Sequence, residues 1–349
     1  MRGFGATTAI YGRGNKHRPP VVDPRVKRTL SNLLDASVVG GYSRIGWEVR
    51  SRTGGFAPPE SMDLRGRRIV VTGPTSGLGR ETARMLAVAG ADLVLVGRDG
   101  SRTENVAREL DQSGPGTMQP VVADMSDLES VAAAARAIGA GGNRVDALVH
   151  NAGALDKVRT ESPQGHETTL AAHVLGPFLM TRMLIDNLSA AHGRVVTVSS
   201  GGMYTAPLPR DPRTADVGEP PFTWNGTRQY AIAKRMQVTL NEMWALEQPD
   251  VWFAAMHPGW ADTPGVRTSL PAFRLVTAPL LRTARQGADT IAWLAGTSES
   301  GLATGRFWCD REERPIHRIG RTRASDTAES RNALWQWCTE STTPFLSTV

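Results

Sequence analysis

Tyr230 and Lys234, in the string Tyr230-Ala231-Ile232-Ala233-Lys234, are the residues of this 349-residue chain whose spacing most directly implies chemistry. Positions four apart on a helix share one face. An ammonium one turn from a phenol favours phenolate and lowers the phenol pKa. Tyr230 would then give and take a proton near neutral pH. Lys234 is one of only four lysines, which gives the pairing weight. Thirty residues before Tyr230, the double serine Ser199-Ser200 ends an apolar run, a place from which a hydroxyl can bond a carbonyl oxygen.

A second group is rich in glycine. Thr72-Gly73-Pro74-Thr75-Ser76-Gly77-Leu78-Gly79 lies between an apolar run and a helical pattern. Such a loop lets the backbone turn tightly and sets a pyrophosphate at a helix N-terminus. Its spacing is GxxxGxG and departs from the GxGxxG fingerprint. The next apolar run ends Val96-Gly97-Arg98. An acidic residue there would bond ribose hydroxyls and favour NAD, whereas Arg98 suits a 2′-phosphate, so NADP(H) is favoured over NAD(H). Asp124 closes the third run, placed either to meet the adenine or to serve as a turn or N-cap residue.

These residues need a scaffold. Apolar runs at 68–72, 92–96, 119–123, 147–150, 194–198, 251–256 and 305–308 alternate with helical patterns such as 80–89, 103–110 and 128–138. Continuous apolar strands separated by helices signify βαβ units and a parallel sheet covered on both faces. The reading is α/β: one doubly wound Rossmann-type domain over 61–310 with a seven-stranded parallel sheet. Stretches 201–227 and 260–283 break the rhythm after strand ends, where such sheets bind ligands, and are candidate substrate lids. Asp326, Glu329 and then Ala333-Leu334-Trp337 predict a helix in a C-terminal extension, 311–349.

Residues 1–60 form a basic leader, with ten Lys/Arg against four acids, whereas the remainder carries thirty of each sign. Its first 20 residues, rich in Gly, Arg and Pro, are expected to be disordered. Val26, Leu30, Leu33, Leu34 and Val38 then recur at helical spacing. That helix either packs on the main domain, the preferred reading, or makes a weak contact with an anionic membrane surface through 21–52. No groove-reading motif or basic stripe with aromatic platforms is present, which argues against nucleic acid. Two cysteines, Cys309 and Cys338, exclude a disulfide-stapled scaffold, and no CxxC suggests a metal site. No apolar run reaches the roughly 18 residues of a membrane span, and no secretory core is evident. A cytoplasmic protein, or one peripheral to a membrane, is expected.

The ordered motifs TGPTSGLG (72–79), Asp124, HNAG (150–153), VTVSS (196–200), YAIAK (230–234) and HPGWADT (257–263) resemble the short-chain dehydrogenase/reductase family over about 65–310. The strings SSGGM, HPGWADTPGVR, QGADT and GRFWCDR resemble more narrowly the branch typified by dehydrogenase/reductase member twelve. The resemblance implies an NAD(P)(H)-dependent oxidoreductase interconverting a carbonyl and an alcohol. Tyr230 would be its general acid/base, Lys234 would hold the nicotinamide ribose, and Ser200 would orient the carbonyl. Thr72, Gly73, Ser76, Gly77, Leu78 and Gly79 would line the pyrophosphate. Asp124, Asn151, Ala152 and Gly153 would serve the adenine side and its supporting strand, with Pro258, Gly259 and Thr263 at the nicotinamide end. The family often has asparagine in an N-x-L-G segment that supports a proton-relaying water. Here that segment reads His173-Val174-Leu175-Gly176, and neutral histidine can both donate and accept. His150 likewise replaces the first asparagine of NNAG. Family members also imply a homo-oligomer.

Leu208, Phe222, Trp224 and Trp260 in the lid candidates point to an apolar small-molecule substrate. A catalytically weak NADP(H)-binding scaffold at a membrane surface is the alternative from another class. An epimerase or dehydratase of nucleotide sugars ranks last, because little chain follows Thr263 to build a sugar-nucleotide domain.

Overall fold

The computed structural model describes residues 23–35, 37–217, 225–262, 267, 274–275 and 277–346. The expected disorder of the first 20 residues, and the site candidates Thr263, Phe222 and Trp224, lie outside them.

Eight strands form one sheet in the order β3-β2-β1-β4-β5-β6-β7-β8. They are β1 (Arg68–Thr72), β2 (Asp92–Gly97), β3 (Met118–Val122), β4 (Ala147–His150), β5 (Arg194–Val198), β6 (Trp252–Met256), β7 (Arg306–Cys309) and β8 (Glu312–Arg314). The seven apolar runs supply β1 to β7, all paired in parallel. β8 corrects the seven-stranded expectation. It pairs antiparallel with β7 through a hairpin whose two loop residues, Asp310 and Arg311, have φ of 53° and 57°. Two left-handed residues make the turn that matches strand twist. Glu-Glu-Arg carries no apolar alternation, so β8 leaves no pattern in the sequence.

Helices cover both faces. On one, α4 (Gly77–Val88) and α5 (Gly100–Asp111) pack over β1 and β2, joined by a later helix at Ala284–Gly296. On the other lie α6 (Leu128–Gly139), α7 (Gly176–Met183), α8 (Gly226–Glu247) and, after α9 at Ala284–Gly296, α10 (Ala328–Thr342). The chain reverses its direction of travel between β1 and β4, and the crevice beyond those two strand ends is the usual ligand position in such sheets. α10 begins one residue later than its sequence signal. Thr327 caps it by accepting from Ser330 N, while Asp326 instead pairs with Arg331 at 2.6 Å.

The leader forms three helices, α1 (Pro24–Asp35), α2 (Val38–Tyr42) and α3 (Arg44–Thr53). They pack on the β7–β8 edge. Arg50, 2% exposed, reaches Asp310 at 2.9 Å and Asp35 at 2.7 Å, and Ser31 Oγ donates to Glu312 at 2.6 Å. Half-buried Leu30 and Leu34 mark the packed side of α1, whereas Val26 and Leu33 stay exposed. No helix among the described residues is long and apolar enough to cross a membrane.

Candidate active site

The glycine loop is built against the end of β4. Thr72 Oγ1 accepts from the backbone N–H groups of Asn151 and Ala152, both at 3.0 Å, and donates to Val149 O at 3.2 Å. Asn151 Nδ2 donates to Thr72 O and Gly73 O at 3.0 and 3.2 Å. These bonds, with the Asn151 amide among them, hold the ends of β1 and β4 in register. Gly73 has φ of 69°, and a Cβ on Gly79 would collide with Gly73 O and the Asn151 amide. The close approach of turn and helix therefore requires glycine at both positions. Ser76 stands at the N-cap of α4 without a side-chain cap bond, leaving the first-turn N–H groups free of a side-chain partner. Leu78 packs toward Gly287 of α9.

Arg98 is exposed at the end of β2 and has no ion pair or hydrogen bond among the described residues. Asp124 Oδ1 accepts from Ser126 N and Ser126 Oγ at 2.8 and 2.7 Å, the turn geometry that was one of its two readings.

Tyr230, Lys234 and Gln237 fall on one face of α8, which starts at the Asn225 cap. Ser199 Oγ donates to Lys234 O at 2.9 Å and pins this helix to the end of β5. Ser200 Oγ accepts from Gly202 N at 3.2 Å and is also hydrogen-bonded to the Tyr230 hydroxyl. Lys234, only 4% exposed, donates from Nζ to Val198 O at 2.9 Å and Gln237 Oε1 at 3.0 Å. Its Nζ lies 5.2 Å from the Tyr230 ring centroid.

The electrostatics differ from the sequence expectation in one respect. Burial pushes the Tyr230 phenol up to about 12, and the Ser200 hydrogen bond opposes that rise. Lys234 does not pull it down, because Nζ faces the ring and two carbonyl-type oxygens instead of the hydroxyl. Burial also lowers Lys234 to about 7, so much of its charge is lost at neutral pH.

His173 sits in a π-helical turn, Ala171–Leu175, edge-on to Tyr230 with ring centroids 5.4 Å apart. Its Nε2 donates to Ala154 O at 2.8 Å. A carbonyl accepts only, so the proton is on Nε2 and Nδ1 is left as an acceptor without a partner. Burial, and secondarily the Lys234 charge, lower its pKa to about 3, and burial does the same for His150. A Cβ on Gly153 would overlap the His173 ring, which explains that glycine. His150, His173, Gln237, Thr181 and Asn241 contribute to the lining of a cavity of ≈ 30 Å³, room for a water molecule.

The third wall comes from outside the motifs. Gly259, with φ of 71°, lies against Tyr42 O and the Arg282 guanidinium, and Pro258 O accepts from Arg282 at 3.1 Å. Trp260 N donates to Tyr42 O at 2.8 Å, and the Tyr42 ring would be 3.3 Å from a Cβ on Gly201. Leu208 is 3% exposed and belongs to the core, with its N–H on Ser325 Oγ, so it does not face a substrate. Sequence reasoning missed Gln237, Tyr42 and Arg282. Gln237 had a signal, three residues after Lys234 on the same helix; the other two lie far from the motifs.

A glycine-lined crevice at the β1–β4 reversal, beside a hydrogen-bonded Ser-Tyr pair with a lysine one turn on, defines a nucleotide-binding oxidoreductase. Residues 67–207 match the family model described as short chain dehydrogenase. The chain is 36% identical over 299 residues to dehydrogenase/reductase SDR family member 12 of Bos taurus, covering 83% of this chain and 91% of that protein. It is 29% identical over 296 residues to polyprenol dehydrogenase of Mus musculus, covering 82% and 88%. A solved short-chain type dehydrogenase/reductase from Mycobacterium marinum shares the fold with a TM-score of 0.58 at 21% identity, covering 70% of this chain and 94% of that one. The chain belongs to the short-chain dehydrogenase/reductase family, oxidoreductases of the carbonyl/CH–OH couple, and falls beside member 12 as its sequence strings implied.

Proposed function

We propose that the chain is an NADP(H)-dependent oxidoreductase that interconverts an apolar small-molecule carbonyl compound and its alcohol. The observation that carries this reading is the Tyr230 hydroxyl hydrogen-bonded to Ser200, with Lys234 beneath its ring.

The residues fit a nicotinamide dinucleotide: a glycine cradle at Gly73 and Gly79 admits no Cβ, and the first turn of α4 has no side-chain cap. Gly77, Leu78 and Gly79 would hold the pyrophosphate at that helix end. Arg98, unpaired and exposed, would meet a 2′-phosphate, and the second oxygen of Asp124 would face the adenine side. The nucleotide, when bound, supplies or accepts the hydride. In the reducing direction Ser200 orients the substrate oxygen and Tyr230 donates its hydroxyl proton to it. Lys234 would hold the nicotinamide ribose, its ammonium meeting the Tyr230 side chain across the ring, 5.2 Å from the centroid, and not at the hydroxyl. Pro258, Gly259 and Thr263 would shape the nicotinamide end, and Trp260, half-buried against Tyr42, supplies apolar surface. The polyprenol named for the murine relative is an apolar alcohol, which supports that substrate class.

The test is a titration with NADPH and NADH followed by tryptophan quenching, then turnover with apolar aldehydes and ketones. Arg98→Asp should weaken NADPH by about 1.4 kcal/mol or more, tenfold, and leave NADH nearly unchanged. Tyr230→Phe should keep NADPH affinity and lose on the order of 10²-fold or more in turnover. Equal weakening of both nucleotides removes the NADP(H) preference, and an active Tyr230→Phe removes the mechanism.

A further inference from the structure

Among the described residues Lys234 is buried without a carboxylate partner, so its placement rests on neutral acceptors. Two are present, Val198 O at 2.9 Å and Gln237 Oε1 at 3.0 Å. The first belongs to the sheet and cannot be re-aimed by a side chain. The second is a side chain that is itself held: Gln237, 5% exposed, donates from Nε2 to His173 O at 2.7 Å. His173 O can only accept, so the amide has one allowed orientation, with Nε2 toward the π-helical turn and Oε1 toward Lys234. A flipped amide would set its N–H groups against the ammonium and its oxygen against the His173 carbonyl oxygen. The π turn on one side and α8 on the other thus converge on a single side chain.

We propose that Gln237 is a positioning residue: it ties Lys234 Nζ to the His173 carbonyl and so keeps the ammonium beneath the Tyr230 ring. Gln237 touches no reacting atom. It acts through Lys234, and this inference rests on the reading of Tyr230 and Lys234 given above. The bridge is also distinct from a water relay, because an amide accepts at one end and donates at the other without handing on a proton.

Four lysines make the test direct. In protein labelled at lysine Cε and Nζ, Lys234 is assigned by the resonance lost in Lys234→Met, and its titration is followed in the full-length protein. Hydrogen bonding to a charged group favours that form. Gln237→Leu should therefore shift the Lys234 midpoint down by about half a unit or more, and the isosteric Gln237→Glu should shift it up, since a carboxylate faces the ammonium. The pH profile of kcat should move in the same two directions, with KM for the carbonyl substrate within about twofold and kcat for Gln237→Leu down about tenfold. Superimposable Lys234 titrations in wild type, Gln237→Leu and Gln237→Glu would overturn the proposal. If Gln237→Leu does not fold, the isosteric Gln237→Glu decides alone: an upward shift supports the bridge and no shift removes it. Because the titration needs no turnover, it stands whether or not the assigned reaction does.

Discussion

Two buried charged regions of this fold, around Asp310 and around Lys234, are built on opposite plans. Around Asp310, every donor of Arg282 is used. Nε donates to Ser43 O, Nη1 to Pro258 O and Asp310 Oδ1, and Nη2 to Gly41 O and Asp310 Oδ2, at 2.6 to 3.1 Å. Arg50 closes the other side through Asp310, Asp35, Gly41 O and Ser31. Burial alone would raise the Asp310 pKa, but the two guanidiniums hold it below the ordinary carboxylate value. Around Lys234 the reverse holds. Among the described residues the ammonium has two neutral acceptors and no counter-charge, and His173 and His150 each keep an unpartnered Nδ1. Burial strips charge from all three. A saturated network gives a rigid joint between leader and sheet edge. An unsaturated one leaves groups whose proton state can change, as the proposed proton transfer requires.

The sharpest way to break this contrast is at the joint. Asp310→Ala strands two buried guanidiniums and should cost about 3–5 kcal/mol in urea unfolding. A loss below ~1 kcal/mol would mean that the network is solvated and the comparison fails. The site should show itself in acid instead. His150, His173 and His257 each have folded pKa values near 3, below the ordinary histidine value. Between about 3 and 6.5 the unfolded chain binds more protons, so stability falls as pH drops through that window. Each such histidine adds about 1.4 kcal/mol per pH unit to the slope. Carboxylates titrate in its lower part, so the readout is a difference: His173→Asn should make the slope shallower by one proton, measured as urea midpoint against pH. An unchanged slope would place His173 in solvent. The smallest effect is at Gly153. Gly153→Ala should cost about 1–3 kcal/mol through overlap with the His173 ring. The cost should largely vanish in the double variant with His173→Ala, and additive losses would show that the two do not touch.

Much of this architecture could be read along the chain. β1, β2 and β4 to β7 are mostly apolar runs because both faces of the sheet are covered there, and that burial is written locally, whereas the edge strand β3 is half-buried to exposed. The glycine loop and the Tyr230–Lys234 spacing are local as well: Thr72 ends β1, Gly73, Asn151 and Ser200 follow β1, β4 and β5, and Tyr230 and Lys234 stand one turn apart on α8. Where the reading failed, a distant partner decided. Leu208, taken for lid surface, is drawn into the core beside Ser325, and Lys234 turns its charge toward Val198 and Gln237 instead of the phenol hydroxyl. Three-residue β8 exists because Asp310 and Arg311 form a tight hairpin, not because its own residues favour a strand.

The sequence by itself determined the α/β class, the seven parallel strands, the glycine turn after β1 and the one-turn spacing of Tyr230 and Lys234, because each follows from periodicity or spacing within a few turns or strands. Tertiary structure alone decided that the leader is a wall of the site, that Arg50 meets Asp310 across 260 residues, and that Gln237 bridges Lys234 to His173. Contacts of that kind depend on which surfaces the packed sheet brings together. They leave no periodic mark in a chain, since a single arginine or glutamine reads the same whether it faces water or a buried partner.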